Sequence, residues 1–113
     1  MSLSDEQKAR YKYQLGLPGM TEERQEKLSE ASVVILGLNP VGTNCAINLA
    51  QAGVGKLVIV DPDIVKFEDL AVHSAFTADD INYPKVDILK RKLQNLNPEM
   101  QVRNCFLKFD THN

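Results

Sequence analysis

The sequence has few of the features that mark secreted, membrane-spanning or nucleic-acid-binding proteins. Cys45 and Cys105 are its only cysteines and have no CxxC spacing, so we expect buried, reduced thiols and no zinc site. No apolar run approaches the roughly 20 residues that cross a bilayer, and no signal peptide opens the chain. The net charge of −2 gives no electrostatic reason to expect a nucleic acid or an anionic membrane as partner. A cytoplasmic protein is therefore the expectation.

Residue patterns typical of nucleophilic catalysis and of metal binding are missing as well. The sequence has no Ser/His/Asp or Cys/His arrangement, and Cys45 falls on the apolar face of a predicted helix, where it is interpreted as core. Asp61, Asp63, Glu68 and His73 form an acidic neighbourhood with one imidazole. Their spacing matches no ligand pattern, and a loop histidine is expected to be exposed. We therefore predict no catalytic residue and no metal site.

What the sequence does contain is a βαβ pattern over residues 32–63. Two short apolar runs, 32–37 and 57–60, are rich in β-branched residues, which is typical of parallel strands that helices cover on both faces. The segment between them has apolar residues at helical spacing and ends at a pair of glycines. Its predicted buried face consists of Val41, Cys45, Leu49 and Ala52. Such a unit predicts a right-handed crossover, and ligands of such sheets bind beyond the carboxyl ends of the strands.

Further elements are predicted on both sides of this unit. Small helices are expected over 4–13 and 21–31, with Ser4 and Thr21 as candidate N-caps. One helical turn is expected over 77–82. A clearly amphipathic helix over 84–96 and a strand over 100–109 follow. The apolar face of the longer helix is predicted to consist of Val86, Leu89, Leu93 and Leu96.

This order of elements predicts an α/β fold. An N-terminal helical segment, 1–31, precedes a partial Rossmann-like domain, 32–113, in which a βαβαβ unit forms a parallel three-stranded sheet of order 3-2-1. The apolar strand 33–36 then lies at the edge of the sheet, and an exposed apolar edge is a hazard for aggregation. We therefore expect the N-terminal helices or another chain to cover it, the latter in a homo- or heterodimer.

Several separated segments resemble the ThiF/MoeB/HesA family, whose members are adenylating enzymes related to ubiquitin-activating enzymes. The resembling segments are Arg10-Tyr11, Gln14-Leu15, LPGMTEERQEKL over 17–28, the first strand and turn, AGVGKLVIVDPDIV over 52–65, Pro84-Lys85-Val86 and Leu96-Asn97-Pro98. The resemblance implies that ATP and magnesium are used to adenylate the C-terminal glycine of a small ubiquitin-like or sulfur-carrier protein.

The first turn departs from the pattern of that family. The family's GxGGxG becomes GLNPVG over residues 37–42 in this chain. Pro40 has no amide hydrogen to offer a phosphate, and Asn39 followed by Pro40 is a favourable start for a helix. The turn is therefore predicted to initiate the helix well and to bind anions poorly.

Other phosphate-binding positions are altered too. The family's N-L-Q-R is Asp69-Leu70-Ala71-Val72 here, and Tyr13 stands where the second arginine of RYxRQ reaches an ATP site in trans. A carboxylate and an apolar side chain in place of an amide and a cation disfavour a polyphosphate. The strand with the family's magnesium-binding aspartate is not among these 113 residues, so magnesium is expected only within a longer protein.

Two candidate positions match the family. Asp61 ends the second strand, where an acid can accept hydrogen bonds from ribose hydroxyls, and Lys85 belongs to the Pro-Lys pair whose lysine contacts phosphate in the family. A turn-forming acid and a solvated lysine are the alternative interpretations. The candidate nucleotide-binding set is Gly37, Asn39, Gly42, Asp61, Asp63, Asp69 and Lys85.

Three functional hypotheses follow. In the favoured one the chain is a ThiF/MoeB-like protein that is non-catalytic or partner-dependent, with weak or lost ATP binding and with a ubiquitin-like or sulfur-carrier protein as partner. In the second it is the ATP-binding fragment of an active adenylyltransferase, using Asp61 and Lys85. In the third it is an NAD-binding Rossmann module that uses Asp61 for ribose, against which Pro40 argues because pyrophosphate also needs helix N-terminal amides.

Overall fold

A computed structural model describes residues 3–109 and contains a parallel three-stranded sheet. The strands are β1 (Ser32–Leu36), β2 (Lys56–Val60) and β3 (Gln101–Cys105), and β2 lies between the other two. The predicted Rossmann-like α/β class and the strand order 3-2-1 are confirmed. The third strand is shorter than predicted. Residues 1–2 of the predicted N-terminal segment 1–31 and residues 110–113 of the predicted domain 32–113 lie outside the described residues.

The N-terminal segment forms three short helices, α1 (Asp5–Arg10), α2 (Lys12–Leu15) and α3 (Glu22–Glu30). The predicted single helix over 4–13 is thus divided at Tyr11. Both predicted caps are confirmed, because the hydroxyl oxygens of Ser4 and Thr21 each accept a hydrogen bond from a backbone amide of the first turn at 3.1 Å.

Side chains of this segment cap the carboxyl ends of the two longer helices, α4 (Pro40–Ala52) and α5 (Lys85–Leu96). Gln14 and Gln25 each donate a hydrogen bond to the carbonyl of Ala52 at 2.9 Å, and Arg10 donates to the carbonyl of Leu96 at 2.8 Å. These carbonyls have no partner within their own helices. The N-terminal segment therefore docks where the strands begin, away from the carboxyl ends of the sheet.

The core lies between the sheet and the pair α4 and α5. The buried cluster consists of Ile35, Leu38, Ala46, Ala50, Leu57, Ile59, Val86, Leu89, Leu93, Met100 and Val102. The predicted inner face of α5 is confirmed for three of its four residues; Leu96, at the end of the helix, is 40% exposed. None of the helices within residues 3–109 is long and apolar enough to cross a membrane.

The predicted inner face of α4 is wrong for two of its four residues, since Leu49 packs against the core and Ala52 is half-buried. The buried residues of α4 are Thr43, Ala46 and Ala50, whereas Val41 is 78% exposed and Cys45 is also exposed. Small side chains at helical spacing let the helix approach its neighbours closely and form its innermost face, with Ile47 and Leu49 packed beside it. The prediction of two buried thiols is therefore wrong as well, because Cys105 is only half-buried; both cysteines are free.

The other face of β1 is open in the part of the chain that the structure describes. Val34 and Leu36 are 58% and 52% exposed, while Ile35 between them is buried. The predicted edge position of β1 is confirmed, but its predicted burial on both faces is wrong. Two right-handed crossovers in the same direction place both helices on one side of the sheet. The N-terminal helices leave these side chains exposed, and their coverage by another chain stays a prediction.

Candidate functional site

Asp61 connects the loops that follow β1 and β2 through hydrogen bonds to its side chain. Its side chain is buried, with 5% of the residue exposed. One carboxylate oxygen accepts the amide hydrogen of Leu38 at 2.7 Å, and the other accepts that of Asp63 at the same distance. The carboxylate thus makes two hydrogen bonds within the chain at the place where the sequence predicts a ribose ligand. In this structure Asp61 holds the two loops in register.

The first turn is a helix cap. The Asn39 side-chain oxygen accepts the amide hydrogen of Gly42 at 2.8 Å, and Pro40 occupies the first turn of α4. Gly37 has a φ of +95° and donates its amide hydrogen to the carbonyl of Val60 at 2.8 Å. A Cβ on Gly42 would collide with the carbonyl oxygen of Gly37, so the turn requires glycine there. The predicted capping role of Asn39 is confirmed.

Lys85 is not a solvated first-turn lysine. Only 7% of the residue is exposed, and its Nζ lies 3.5 Å from Oδ1 of Asp69. The other oxygen of Asp69 accepts the amide hydrogen of Lys66 at 2.8 Å and so caps the 3-10 helix Phe67–Ala71. Asp63 contributes its carbonyl, which accepts the Lys85 amide hydrogen at 3.0 Å. The side chain of Asp63 itself is exposed.

His73 is buried in this cluster, contrary to the expectation of an exposed loop histidine. The residue is 5% exposed, its ring packs 4.9 Å from that of Phe76, and its Nε2 lies 4.0 Å from Oδ1 of Asp69. Its Nδ1 is buried without a hydrogen-bond partner. The His73 amide donates to the carbonyl of Asp69 at 2.8 Å, so a four-residue turn brings the two side chains together. An acid four residues before the histidine was the available sequence signal.

The charges of the cluster are set by burial and by Lys85. Burial lowers the pKa of His73 below its ordinary value, and the Lys85 charge lowers it further. These two effects outweigh the carboxylates of Asp69 and Asp61, which raise the pKa, so the imidazole is neutral at pH 7. Burial raises the pKa of Asp69, but the Lys66 amide and the Lys85 ammonium outweigh this and leave it below its usual value. Asp69 and Lys85 therefore form a charged pair.

The candidate residues thus lie along one edge, and none of them lines the main cavity of the described residues. Asp61, Asp69, His73 and Lys85 form one electrostatic cluster, with the turn 37–42 beside it. A cavity of about 380 Å³ lies at the opposite edge, where the strands begin, and its lining includes Tyr11, Gly53 and Asn97. Within residues 3–109 no group of three or more His, Cys, Asp and Glu side chains is arranged to hold a metal ion.

Exposed apolar side chains accompany the polar cluster at the carboxyl ends of the strands. Leu36 ends β1, Val41 lies in the first turn of α4, and Phe67 and Val72 lie in the segment after β2. The last three are 78%, 75% and 62% exposed, in chain order. Val72 stands at the position where the resembled motif has an arginine. This edge presents a surface suited to apolar contact beside a charged pair.

A parallel sheet with helices on one face and a polar cluster at the strand carboxyl ends defines a Rossmann-like α/β protein. The ThiF family model matches residues 11–113, and the chain belongs to the ThiF family. It is 38% identical over 100 residues to the sulfur carrier protein ThiS adenylyltransferase of Escherichia coli, which covers 88% of this chain and 40% of that protein. It is 33% identical over 110 residues to the molybdopterin-synthase adenylyltransferase of Haemophilus influenzae, covering 97% of this chain and 45% of that one.

A solved structure shares the architecture. E. coli MccB with succinimide superposes with a TM-score of 0.84 and 29% identity, covering 91% of this chain and 32% of that one. The chain therefore spans less than half the length of the two curated relatives and about a third of this solved chain. More than half of each of those proteins has no counterpart among these 113 residues.

Proposed function

We propose that this chain is a ThiF-type binding unit that recognises a small sulfur-carrier or ubiquitin-like protein and does not adenylate it on its own. Catalysis would require another chain or further residues. The names of the E. coli and H. influenzae relatives support the class of partner. The non-catalytic part of the proposal depends on the geometry of the first turn.

The amide groups of that turn are the observation that carries the proposal. Gly37 and Leu38 donate to Val60 and Asp61, Gly42 donates to Asn39, and Pro40 has no amide hydrogen. A polyphosphate at a helix N-terminus depends on such donors being free. The occupied amides of Gly37, Leu38 and Gly42 and the missing donor at Pro40 support a poor fit to the phosphates of ATP and a role of the three-stranded fold as a binding scaffold.

Dimerisation is the second part of the proposal. The open face and free edge of β1, with Val34 and Leu36 exposed, support a homo- or heterodimer in which another chain covers this strand. The exposed apolar residues Val41, Phe67 and Val72 at the carboxyl edge support contact with the tail of a carrier protein. A cytoplasmic location remains a prediction.

Titration calorimetry tests the proposal with two probes, ATP with magnesium and the E. coli carrier protein ThiS. We expect no heat from ATP at millimolar concentration and saturable binding of the carrier in the absence of nucleotide. A matched carrier that lacks its C-terminal residues is the control, because tail recognition predicts that it binds more weakly. Micromolar ATP binding, or release of pyrophosphate with carrier and ATP, would refute the non-catalytic hypothesis.

A second candidate function is the ATP-binding part of an active adenylyltransferase. It is favoured by the retention of Asp61 and Lys85 at one edge of the sheet and by the names of the relatives. ATP would then be held with residues of a longer protein, which would also supply the magnesium ligand. ATP binding by this chain alone would favour the second candidate, and release of pyrophosphate by a longer protein that contains this chain would distinguish the two. The NAD hypothesis stays a prediction. The amides of Gly37, Leu38 and Gly42, which already have acceptors, argue against NAD as they argue against ATP.

A further inference from the structure

The strongest unexplained feature of the site is a lysine that is buried beside a carboxylate of the same chain. The side chain of Lys85 is 8% exposed, that of Asp69 is 19% exposed, and 3.5 Å separates Nζ from Oδ1. A pair at this depth is screened much less by solvent than a surface ion pair. The ammonium therefore already has its counter-charge within the fold.

Both members of the pair are fixed by backbone contacts. Asp69 is held by its second oxygen, which accepts the Lys66 amide hydrogen, and Lys85 is held through its own amide, which donates to the carbonyl of Asp63. A ligand that competes for Lys85 must displace an anion that is already in place.

The rest of the cluster adds no positive charge that would attract an anion. Asp61 is a second acid, and His73 is neutral because burial and Lys85 lower its pKa. The charged groups that act on His73 are Lys85, Asp69 and Asp61, and with a neutral imidazole their net charge is about −1. A polyphosphate placed here would approach two carboxylates.

We propose that Asp69 is the specificity-determining residue of this edge: its carboxylate takes the place beside Lys85 that a ligand phosphate would occupy, and so excludes polyphosphates. This deepens the proposed function, on which it rests, by assigning phosphate exclusion to one side chain. The capped first turn removes donors, whereas Asp69 neutralises the cation. The two effects can be separated by mutation.

The chain offers a matched control for this proposal. Asp80 also caps a 3-10 helix, Ala78–Asp80, by accepting the Thr77 amide hydrogen at 2.9 Å, and its carboxylate lies 3.7 Å from the Nζ of Lys92. Asp69→Asn and Asp80→Asn therefore remove the same charge from the same kind of cap. Asparagine retains an oxygen that can accept the capping hydrogen bond, so both variants are expected to fold.

The experiment is a calorimetric titration of the full chain with inorganic tripolyphosphate at low salt. Replacing a carboxylate by an amide within about 4 Å of a phosphate changes affinity by roughly tenfold to a thousandfold at the effective dielectric constant of a protein surface. We expect Asp69→Asn to bind at least about tenfold more tightly than the wild type, and Asp80→Asn to match the wild type. The double variant Asp69→Asn/Lys85→Met should lose the gain.

Three results would overturn the proposal: a gain below tenfold in Asp69→Asn, an equal gain in Asp80→Asn, or a gain that survives removal of the Lys85 ammonium. If Asp69→Asn does not fold by circular dichroism, Asp69→Ser, which also accepts a capping hydrogen bond, replaces it under the same criteria. The wild-type ATP titration decides the proposed function independently. Wild-type binding of ATP would refute that function, while the ratio between variant and wild type still decides the role of Asp69.

Discussion

Replacing Asp61 by asparagine tests whether this acid is structural. The substitution is almost isosteric, but asparagine has one acceptor oxygen, and its amide group would face a second N–H donor. The Leu38 amide, whose residue is fully buried, and the Asp63 amide now each have a carboxylate oxygen at 2.7 Å. Losing one hydrogen bond to a charged group and leaving one donor unpaired costs about 2–3 kcal/mol of unfolding free energy.

Urea denaturation followed by circular dichroism measures this loss, and a thermal scan should show a decrease in Tm of about 10 °C, at roughly 4 °C for each kcal/mol in a domain of this size. Asp63→Asn is the matched control, because that side chain is exposed and the change is expected to stay within about 0.5 kcal/mol. A loss below about 1 kcal/mol in Asp61→Asn would refute the structural role. The carboxylate would then be available for a ribose ligand.

Three further predictions concern glycine, histidine and cysteine residues. Gly42→Ala should lower the free energy of unfolding in urea by about 2–3 kcal/mol, because its Cβ would meet a backbone carbonyl. Gly16→Ala, whose Cβ would have its nearest neighbour at 3.5 Å, should be near neutral. Similar losses in the two variants would contradict the close approach at Gly42. The pKa of His73 is lowered on folding, so the unfolded chain binds more protons than the folded chain below pH 6.5. The free energy of unfolding should therefore fall as the pH drops below that value and level off above it. His73→Gln should remove this pH dependence. Cys45 should react with a thiol reagent in the folded protein faster than Cys105, and equal protection of both would contradict the exposed face of α4.

The neutral state of His73 and the ionised state of Asp69 also bear on the NAD and ATP hypotheses. Both cofactors bring negative phosphates to this edge, and the cluster offers a single cation, which is already paired. Removing Asp69 is expected to favour any phosphate ligand, whichever nucleotide carries it. The tripolyphosphate experiment therefore reports on the electrostatics of the edge without assuming a base or a sugar.

Short-range patterns were enough to predict much of the architecture. The Asn39-Pro40 pair specifies a helix start because capping is decided within four residues of chain, and the structure has that cap. The apolar runs and the strong periodicity of 84–96 likewise specified strands and a helix, and parallel strands with helical crossovers restrict the sheet to few orders. The altered positions 40, 69 and 72 were also visible, because they are departures at single residues.

Contacts between distant residues were decided only by the tertiary structure. Which face of α4 is buried depended on how closely Ala46 and Ala50 let the helix pack, and that preference is invisible in a periodicity that counts apolar residues. The two oxygens of Asp61 are occupied because folding brings Leu38, 23 residues away, to hydrogen-bond distance. Lys85 is paired because the loop after β2 returns to the start of α5. The sequence alone determined which chemical groups this edge contains, and only packing determined which of them already have partners, because pairing depends on distances that no local pattern encodes.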